Sequence, residues 1–429
     1  MPLNLASPGI VVREVDLTVG RVDTASDKVG ALVGPFAKGA VDLPILVETE
    51  QDLLDNFGEP SSTDKHYEYW MTASSYLAYG GPLRIVRADD DDLKNAFSGT
   101  AGSIKIKSTE HYNDLGYDGS TITGVTVAAR NPGSWGNTLK VAIIDDLADQ
   151  ILTFGTLPTN IQVGYGITQA IPANTVVAGS GTTSLLTGYF KGIVTQVDST
   201  NKKVSVKILE SLTNAGVSTD VTYQPNGIYK FGNTAVAIHT TGQSSSYTTG
   251  TPTSSVDWFD QQSIQLSNST INWNNISDRP GTSSFAASRN SKFDEVHVVV
   301  IDDEGKVTGN AGTILEKHLS LSKAKDGEYS LGSPSYWRKY TYNNSTNIFA
   351  GGAPAGIVTT SFASGTFTLS SDVGWDQNAQ NINFAGIGAT TLTLGGGKNY
   401  DGGTDDTVAG SFQVTLAGLV GGYELFEDN

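Results

Sequence analysis

Two glycine-rich turns with a lysine come closest to a chemical site in this sequence. Gly395-Gly396-Gly397-Lys398 has the glycines and the lysine of a phosphate-binding loop, but Asn399 stands where such a loop needs a hydroxyl for magnesium. The turn Gly34-Pro35-Phe36-Ala37-Lys38-Gly39 shares only glycines, and its proline removes a backbone N–H donor that a phosphate would need. Neither turn predicts nucleotide chemistry.

Patterns for metal binding and for catalysis are also missing. The five histidines lie far apart in the sequence, at His66, His111, His239, His297 and His318. None has the ligand spacing of a metal site, and the absence of cysteine excludes thiolate ligands, thiol nucleophiles and disulfides. Neither Gly-x-Ser-x-Gly nor His-Glu-x-x-His occurs. We therefore predict that the chain is not an enzyme and has no catalytic, cofactor-binding or metal site.

The two acidic runs of the sequence do not predict a metal site either. Four aspartates from Asp89 to Asp92 are typical of a solvated boundary, because a calcium loop needs spaced ligands and a glycine turn. The run Asp302-Asp303-Glu304-Gly305 follows a strong strand pattern from 295 to 301. It predicts a hairpin turn leading into Lys306-Val307-Thr308, rather than a cation site.

Aromatic residues leave one alternative of another class open. Trp258, Trp273 and Tyr247 could stack against sugars if the glycine-, serine- and threonine-rich part of the chain were a glycan-binding β-rich adhesin. Aromatic side chains in such modules more often belong to the core. Similarly, Trp135 is better interpreted as an aromatic that pins a turn than as a ligand-stacking residue.

The stretch from Lys28 to Arg87 is the unit around which the other elements are organised. A buried-strand pattern and a tight turn span Val29 to Gly39, and a second extended segment spans Leu43 to Val47. Thr49 can then cap a helix N-terminus, with Asp52 returning the hydrogen bond.

A second helix is predicted over Asp64 to Tyr79. Its apolar residues recur at spacings of three and four and predict one buried face, made of Tyr67, Trp70, Met71, Ser74, Leu77 and Ala78. After Gly80-Gly81-Pro82, the run Leu83 to Arg87 predicts a strand. A strand, a helical crossover and a further strand form a unit that is typical of a parallel sheet.

Several segments, in order, resemble contractile tail sheath proteins, the sheath subunits of phages with contractile tails, of the T-even and cyanophage kind. They are Ser7 to Glu14, Val33 to Gly39, Glu50 to Gly58, Tyr79 to Arg87, Asn131-Pro132-Gly133-Ser134-Trp135-Gly136-Asn137, Val300 to Gly305 and Leu315 to Ala324. Their order over most of the chain, rather than any single segment, carries the resemblance.

Length and charge restrict the remaining possibilities. A chain of 429 residues predicts two to four domains, and a net charge of −17 argues against nucleic acid or an anionic membrane as partner. The absence of cysteine fits a protein made in a reducing cytoplasm. The start lacks a signal-peptide pattern, and no apolar run reaches the ~18 residues of a membrane span.

The first 20 residues form an extended arm in this interpretation. Its strand pattern contains Ile10, Val11, Val12, Arg13, Val15 and Leu17. The arm is either an edge strand of its own domain or a strand donated to a neighbouring subunit. The resemblance favours donation, because sheath subunits are linked by exchanged terminal arms.

We predict an α+β multi-domain fold, with a discontinuous α/β core domain and β-rich protruding domains. The arm covers 1–20, and the α/β domain covers 21–95 and 390–429, where the segment from Gly418 to Phe426 begins a helix. A β-rich protruding domain covers 96–149 and 257–389. An inserted outer β domain covers 150–256 and contains a hairpin formed by the strands 192–197 and 204–209.

The resemblance implies a structural function without a cofactor. Copies would polymerise in hexameric rings as a helical sheath around the tail tube, and contraction would drive the tube through the host envelope. Implied partners are the tail tube, baseplate and tail terminator proteins, and the implied location is the virion tail after synthesis in the host cytoplasm. A tailocin or another contractile injection system is the alternative within the same class.

The resemblance also implies a further C-terminal region after Asn429. In such sheath proteins that region completes the α/β domain, lines the tube and accepts the arms of neighbours. Either the chain is a truncated form or the sequence is part of a longer one.

Overall fold

The computed structural model describes residues 29–60, 66–171, 175–176, 185–186, 188–213, 217–225, 230–239, 247–357, 374–400 and 414–426. Helices and several separate sheets occur along these residues, which confirms the predicted α+β fold with several sheets. Among them, none of the helices combines the length and apolar composition needed to cross a bilayer.

The helices and strands have the following bounds. The helices are α1 (Glu50–Phe57), α2 (His66–Ala78), α3 (Thr109–Asp114), α4 (Ser284–Ala287), α5 (Trp337–Asn344) and α6 (Leu416–Glu424). The first twelve strands are β1 (Gly30–Gly34), β2 (Ile45–Val47), β3 (Leu83–Arg87), β4 (Phe97–Gly99), β5 (Val125–Ala129), β6 (Leu139–Asp145), β7 (Gln150–Phe154), β8 (Gly166–Ala170), β9 (Thr175–Val176), β10 (Leu185–Leu186), β11 (Tyr189–Asp198) and β12 (Lys203–Leu212). The others are β13 (Ser218–Asp220), β14 (Val236–His239), β15 (Tyr247–Gly250), β16 (Pro252–Asp257), β17 (Ser263–Gln265), β18 (Thr270–Asn272), β19 (Glu295–Asp302), β20 (Thr313–Ser322), β21 (Glu328–Ser330), β22 (Ser333–Pro334), β23 (Ile348–Ala350) and β24 (Thr390–Thr393).

The first unit is a three-stranded sheet of order β1-β3-β2 with α1 and α2 in the crossover. β1 runs parallel to β3, which confirms the predicted strand–helix–strand unit, while β2 pairs with β3 in the antiparallel sense. The predicted cap of α1 is confirmed as well. The Asp52 N–H donates to Thr49 Oγ1 (3.1 Å), and the Thr49 N–H donates to Asp52 Oδ2 (3.0 Å). We call this part the α/β unit.

The buried face of α2 differs from the prediction. The helix buries His66, Trp70, Ala73 and Leu77, whereas Tyr67 is 47% exposed and Met71 is 38% exposed. Trp70 and Leu77 were predicted correctly, whereas His66 and Ala73 are buried in place of Tyr67 and Ser74. His66 is buried because its imidazole accepts the Ala37 N–H (3.4 Å). The indole N–H of Trp70 donates to the Gly58 carbonyl (2.9 Å).

The second unit, which we call the body, combines a four-stranded sheet of order β20-β19-β6-β24 with a three-stranded sheet of order β23-β5-β4. The predicted short hairpin after β19 was wrong, because β20 begins at Thr313 and not at Lys306. The intervening loop is longer because it wraps around Asp302. The Asp302 carboxylate accepts the backbone N–H groups of Gly305, Val307 and Thr308 at 3.0, 2.9 and 2.9 Å.

A further sheet lies between the two halves of the body in sequence. Its strand order is β15-β14-β8-β11-β12-β7-β16, with β13 paired to β12, and we call it the inserted sheet. The predicted hairpin is confirmed as β11 and β12, with Lys202 in the left-handed region of its turn (φ 55°). The chain enters after Asp149 and leaves at Trp258, whose N–H donates to the Asp149 carbonyl (3.0 Å).

The chain returns to the α/β unit later than predicted. We expected the return at residue 390, whereas β24 pairs with β6 and so belongs to the body, because its backbone groups complete that sheet. The predicted C-terminal helix is confirmed as α6, which packs on β1 and β3 through Gly422, Val33 and Val86. The remaining domain boundaries stay predictions.

Candidate functional site: the junctions between the units

Arg87 lies at the centre of the junction between the α/β unit and the body. It ends β3, and its side chain is fully buried. Its Nε donates to the Phe36 carbonyl (2.7 Å), and its Nη1 donates to the carbonyls of Gly39 (2.9 Å) and Pro132 (2.7 Å). One guanidinium thus joins the tight turn after β1 to the link before β6. The planar fork of donors suits this task, because several carbonyls are satisfied at once.

Reciprocal amide hydrogen bonds extend this junction. Asn399 Oδ1 accepts the Ser134 N–H (2.9 Å), and its Nδ2 donates to Ser134 Oγ (2.8 Å). Asn137 Nδ2 donates to the Gly397 carbonyl (3.0 Å), while Asn137 Oδ1 accepts the Gly397 N–H (2.8 Å). The glycine-rich segment therefore serves as a backbone partner for the link and not as a phosphate loop.

Close backbone approach explains the glycine in the link. Gly133 has φ +137°, and a Cβ at this position would lie 2.7 Å from the Ala37 carbonyl oxygen. Any other residue would separate the link from the turn after β1. Trp135, beside it, is 8% exposed, in agreement with the interpretation that it pins the turn.

Buried titratable side chains surround Arg87. The Tyr400 hydroxyl donates to the Ala88 carbonyl (2.8 Å), and burial raises the pKa of this tyrosine to about 12. Burial, together with the charge of Arg87, lowers the pKa of His66 to about 4. His66 Nε2 accepts the Ala37 N–H (3.4 Å), so the folded state uses the neutral imidazole.

The second junction joins the inserted sheet to the body and consists of ion pairs. Lys207, on β12, is 2% exposed and pairs with Asp146 (2.6 Å) and Asp149 (3.0 Å). Arg279, from the body, pairs with Asp257 (2.5 Å) at the other end of the inserted sheet. Burial raises the pKa of Asp149 to about 6 against the opposing influence of Lys207. Both ends of the inserted sheet are therefore held by charged side chains.

Neither junction has the geometry of a catalytic or metal centre. The Arg87 junction contains carbonyl acceptors, amides, a phenol, the Ser134 hydroxyl and the His66 imidazole. The hydroxyl accepts from the Asn399 amide, and the imidazole accepts from the Ala37 N–H. Within the described ranges, no group of three or more histidine or acidic residues could hold a metal ion. What these junctions can do is mechanical, because they fix three units of the chain relative to one another.

The residues predicted to form the inter-subunit arm lie outside the described residues. They are Ile10, Val11, Val12, Arg13, Val15 and Leu17. The Arg87 junction itself was missed at the sequence level. A signal was present, because the turn 33–39, the strand ending at Arg87 and the link 131–137 all belong to the segments that carry the resemblance.

Two of the three aromatic residues proposed to bind sugar are buried, so this alternative is wrong for them. Trp258 and Trp273 are each 1% exposed and pack in the core between the body sheet and the 3₁₀ turns that follow the inserted sheet. Tyr247 is 58% exposed on β15, at the edge of the inserted sheet. A sugar platform needs exposed rings that share one face, and these rings do not provide it.

Three curated relatives share part of this sequence, although no protein-family model matches it. The chain is similar to the tail sheath protein of Enterobacteria phage T4, with 36% identity over 24% of this chain and 15% of that protein. It is similar to the tail sheath protein of Vibrio phage KVP40, with 38% identity over 20% of this chain and 13% of that protein. It is also similar to the tail sheath protein of Salmonella phage ViI, with 30% identity over 27% of this chain and 18% of that protein.

The matched stretches thus span less than a fifth of the length of these relatives. Among solved structures, the sheath tail protein Lin1278 from Listeria innocua is similar over 53% of this chain and 34% of that chain, with 13% identity. The TM-score of this comparison is 0.18. The three curated relatives, all tail sheath proteins, confirm that the chain resembles the sheath proteins of phages with contractile tails.

Proposed function

We propose that the chain is a structural subunit of a contractile phage tail sheath, without enzymatic activity. Copies polymerise in rings around the tail tube, and a change of packing between copies drives the tube through the host envelope. The sheath proteins similar to this chain support a structural role in the tail. The observation that carries the proposal is the Arg87 junction, which ties the α/β unit rigidly to the body.

Rigid units with flexible ties are what this function requires. Subunits that slide past each other must keep their internal geometry, and two lattice packings can store the free energy of contraction without a cofactor. We assign the rigid part to the α/β unit, the body and the inserted sheet. The tie is the arm 1–20, and its acceptor would be an unpaired sheet edge of a neighbour, for which β1 is a candidate as an edge strand among the described residues.

The proposed partners are further copies of the chain, the tail tube protein, and the baseplate and tail terminator proteins. The net charge of −17 supports protein partners over nucleic acid. Immunogold labelling of purified virions with antibodies against this chain should decorate the full length of the tail. Labelling of the capsid or of the tail tip alone would contradict the proposal.

The arm is tested by deletion of residues 1–20. If it is donated to a neighbour, the monomer should melt at an unchanged temperature, while assembly into rings or tubes is lost. A large loss of thermal stability in the monomer would show that the arm folds onto its own protomer. The matched control is a variant in which residues 9–18 are placed in a different order, since it keeps the length, composition and net charge of the arm.

A further inference from the structure

A small basic cleft in the body is suited to an acidic partner. We propose that the cleft lined by Lys325, Arg338 and Lys339 accepts the carboxylates of Asp91 and Asp92 from a second copy of this chain. The inference rests on the proposed sheath function and deepens it, because it names one contact through which copies associate.

The cleft has a volume of about 290 Å³ and lies where α5 begins, beside the segment that precedes β21 and the turn after α3. Three tyrosine rings form its walls, from Tyr112, Tyr336 and Tyr342. Asp118 is the one carboxylate among its lining residues, against three cations. The cleft therefore carries a local excess of positive charge in a chain whose net charge is −17.

Arg338 provides a built cationic floor for the cleft. It is 8% exposed, and its guanidinium donates to the Tyr117 carbonyl (3.2 Å), the Ser120 carbonyl and the Ala350 carbonyl (3.4 Å). All these acceptors are neutral, and within the described residues no carboxylate forms an ion pair with Arg338. The Asp376 carboxylate, which accepts the Tyr336 hydroxyl (2.6 Å), acts on Arg338 only from farther away. A guanidinium that the fold holds in place binds an anion at a lower cost in side-chain entropy than a mobile surface lysine does.

The two lysines at the rim are also without a carboxylate partner. Lys325 and Lys339 are exposed, and neither side chain makes an ion pair or hydrogen bond within the described part of the chain. Lys339 Nζ lies 5.0 Å from the centre of the Tyr342 ring, which directs the ammonium group towards the cleft wall. Both lysine side chains can therefore move to bind the carboxylate of a second copy.

Asp91 and Asp92 have the complementary properties. Both are exposed in the turn after β3, and neither carboxylate makes an ion pair or hydrogen bond among the described residues. The neighbouring Asp89 differs, because it is already paired with Lys105 (2.6 Å) and Lys107 (2.7 Å). Two adjacent carboxylates without cations thus match two rim lysines without anions.

The geometry of this pairing suits an extended assembly. The cleft and the acidic turn are different patches of the same chain, so each copy can donate its turn to one neighbour and accept the turn of another. Such heterologous contacts produce rings or helical filaments rather than closed dimers. The contact would add to any linkage through the arm and would depend on ionic strength.

Charge reversal tests the pairing. One variant carries Lys325→Glu and Lys339→Glu, and a second carries Asp91→Lys and Asp92→Lys. Sedimentation velocity of the full chain at low salt and rising concentration measures self-association. Each variant alone should associate about tenfold or more weakly than the parent, because like charges then face each other. An equimolar mixture of both should associate as the parent does, since each cleft again meets a turn of opposite charge.

Matched controls separate this contact from net charge. Lys203→Glu with Lys317→Glu produces the same change in net charge as the cleft variant, at two exposed lysines away from the cleft. Glu68→Lys with Asp260→Lys produces the same change in net charge as the variant of Asp91 and Asp92, at two other exposed acidic residues. Both controls should associate as the parent does. Carbodiimide cross-linking of a mixture of ¹⁴N- and ¹⁵N-labelled chains should also join Lys325 or Lys339 of one copy to Asp91 or Asp92 of another.

Three results would overturn the inference. They are a parent chain that stays monomeric at every concentration, cleft variants that associate normally, or a mixture that shows no rescue. Each leaves the sheath function standing, because immunogold labelling of the tail tests that function separately. Labelling outside the tail combined with rescue in the mixture would instead reject the sheath function and keep the contact.

Discussion

The two junctions of this molecule solve the same mechanical problem with different chemistry. At the junction of the α/β unit and the body, Arg87 donates to neutral carbonyls and no carboxylate is bonded to it. At the junction of the inserted sheet and the body, Lys207 meets Asp146 and Asp149 in a buried ion-pair cluster. The first depends on hydrogen bonds to backbone, and the second depends on charges whose protonation can change.

This difference separates the effects of mutation and of pH. Loss of Arg87 leaves several buried carbonyls without donors, which no change of pH can relieve. Loss of Lys207 leaves carboxylates that can take up protons, so the damage is limited in acid. The first junction is nevertheless sensitive to acid through a neighbour, because His66 is held neutral beside Arg87.

The largest effect is expected for Arg87→Met. The variant retains the apolar stem but leaves the carbonyls of Phe36, Gly39 and Pro132 without their donor, at about 1–3 kcal/mol for each unsatisfied buried group. The free energy of unfolding should fall by on the order of 5 kcal/mol in urea titrations. Arg84→Met, on the same strand and without such bonds, is the control. Equal stability of the two variants would refute the central role of Arg87.

A smaller loss is expected for Lys207→Met at the second junction. Breaking a buried ion pair costs roughly 3–5 kcal/mol of folding free energy. We expect a loss of about 3 kcal/mol, because Arg279 remains near Asp146 and Asp149. The pKa of Asp149, raised to about 6, makes the loss larger at pH 7.5 than at pH 5, where the carboxylate is protonated. Urea titrations at both pH values, with Lys203→Met as control, measure this. A loss that does not depend on pH would contradict the ion-pair account.

Acidification should weaken the α/β unit through His66. Its folded pKa is about 4, against an ordinary value of 6.5, so the unfolded chain takes up the proton first as the pH falls. The resulting stability is fully present above pH 6.5 and declines towards pH 4, by about 2 kcal/mol at pH 5, at 1.36 kcal/mol per pKa unit. Hydrogen exchange of α2 amides at several pH values measures the slope.

The matched variant His66→Gln should abolish most of that slope, because its side-chain oxygen can accept the Ala37 N–H without titrating. Amides of the inserted sheet are the internal control. Asp149 acts there in the opposite sense, since its raised folded pKa makes stability fall as the pH rises from about 4 to 6. Parallel slopes in the two regions would remove the distinction between the junctions.

The smallest effect is expected when the inserted sheet is removed. Residues 150–256 can be replaced by a short linker, because the Trp258 N–H already meets the Asp149 carbonyl at 3.0 Å. Combined with Asp146→Asn and Asp149→Asn, which avoid carboxylates left without Lys207, the remainder should keep its fold and melt within a few degrees of the parent. Circular dichroism measures this. Aggregation of the shortened chain would show that the inserted sheet is integral to the body.

Predictions from local patterns succeeded where neighbouring residues decide the outcome. The capping box of α1, the parallel pairing of β1 with β3 and the hairpin of β11 and β12 each depend on a few adjacent residues or on one crossover. Sequence reasoning failed where distant groups compete. The buried face of α2 includes His66, whose imidazole accepts the distant Ala37 N–H, and the loop after β19 is lengthened by its wrapping around Asp302.

Local residue patterns were thus sufficient for the α+β class, for the individual elements of the α/β unit and for the absence of catalytic motifs. The two junctions and the basic cleft could be found only after folding, because their contacts join residues up to more than 260 positions apart in the chain. The physical reason is that arginine is usually exposed, so the sequence alone predicts surface positions for Arg87 and Arg338. Burial of Arg87 and Arg338 becomes favourable only when carbonyls from several distant segments converge on each guanidinium.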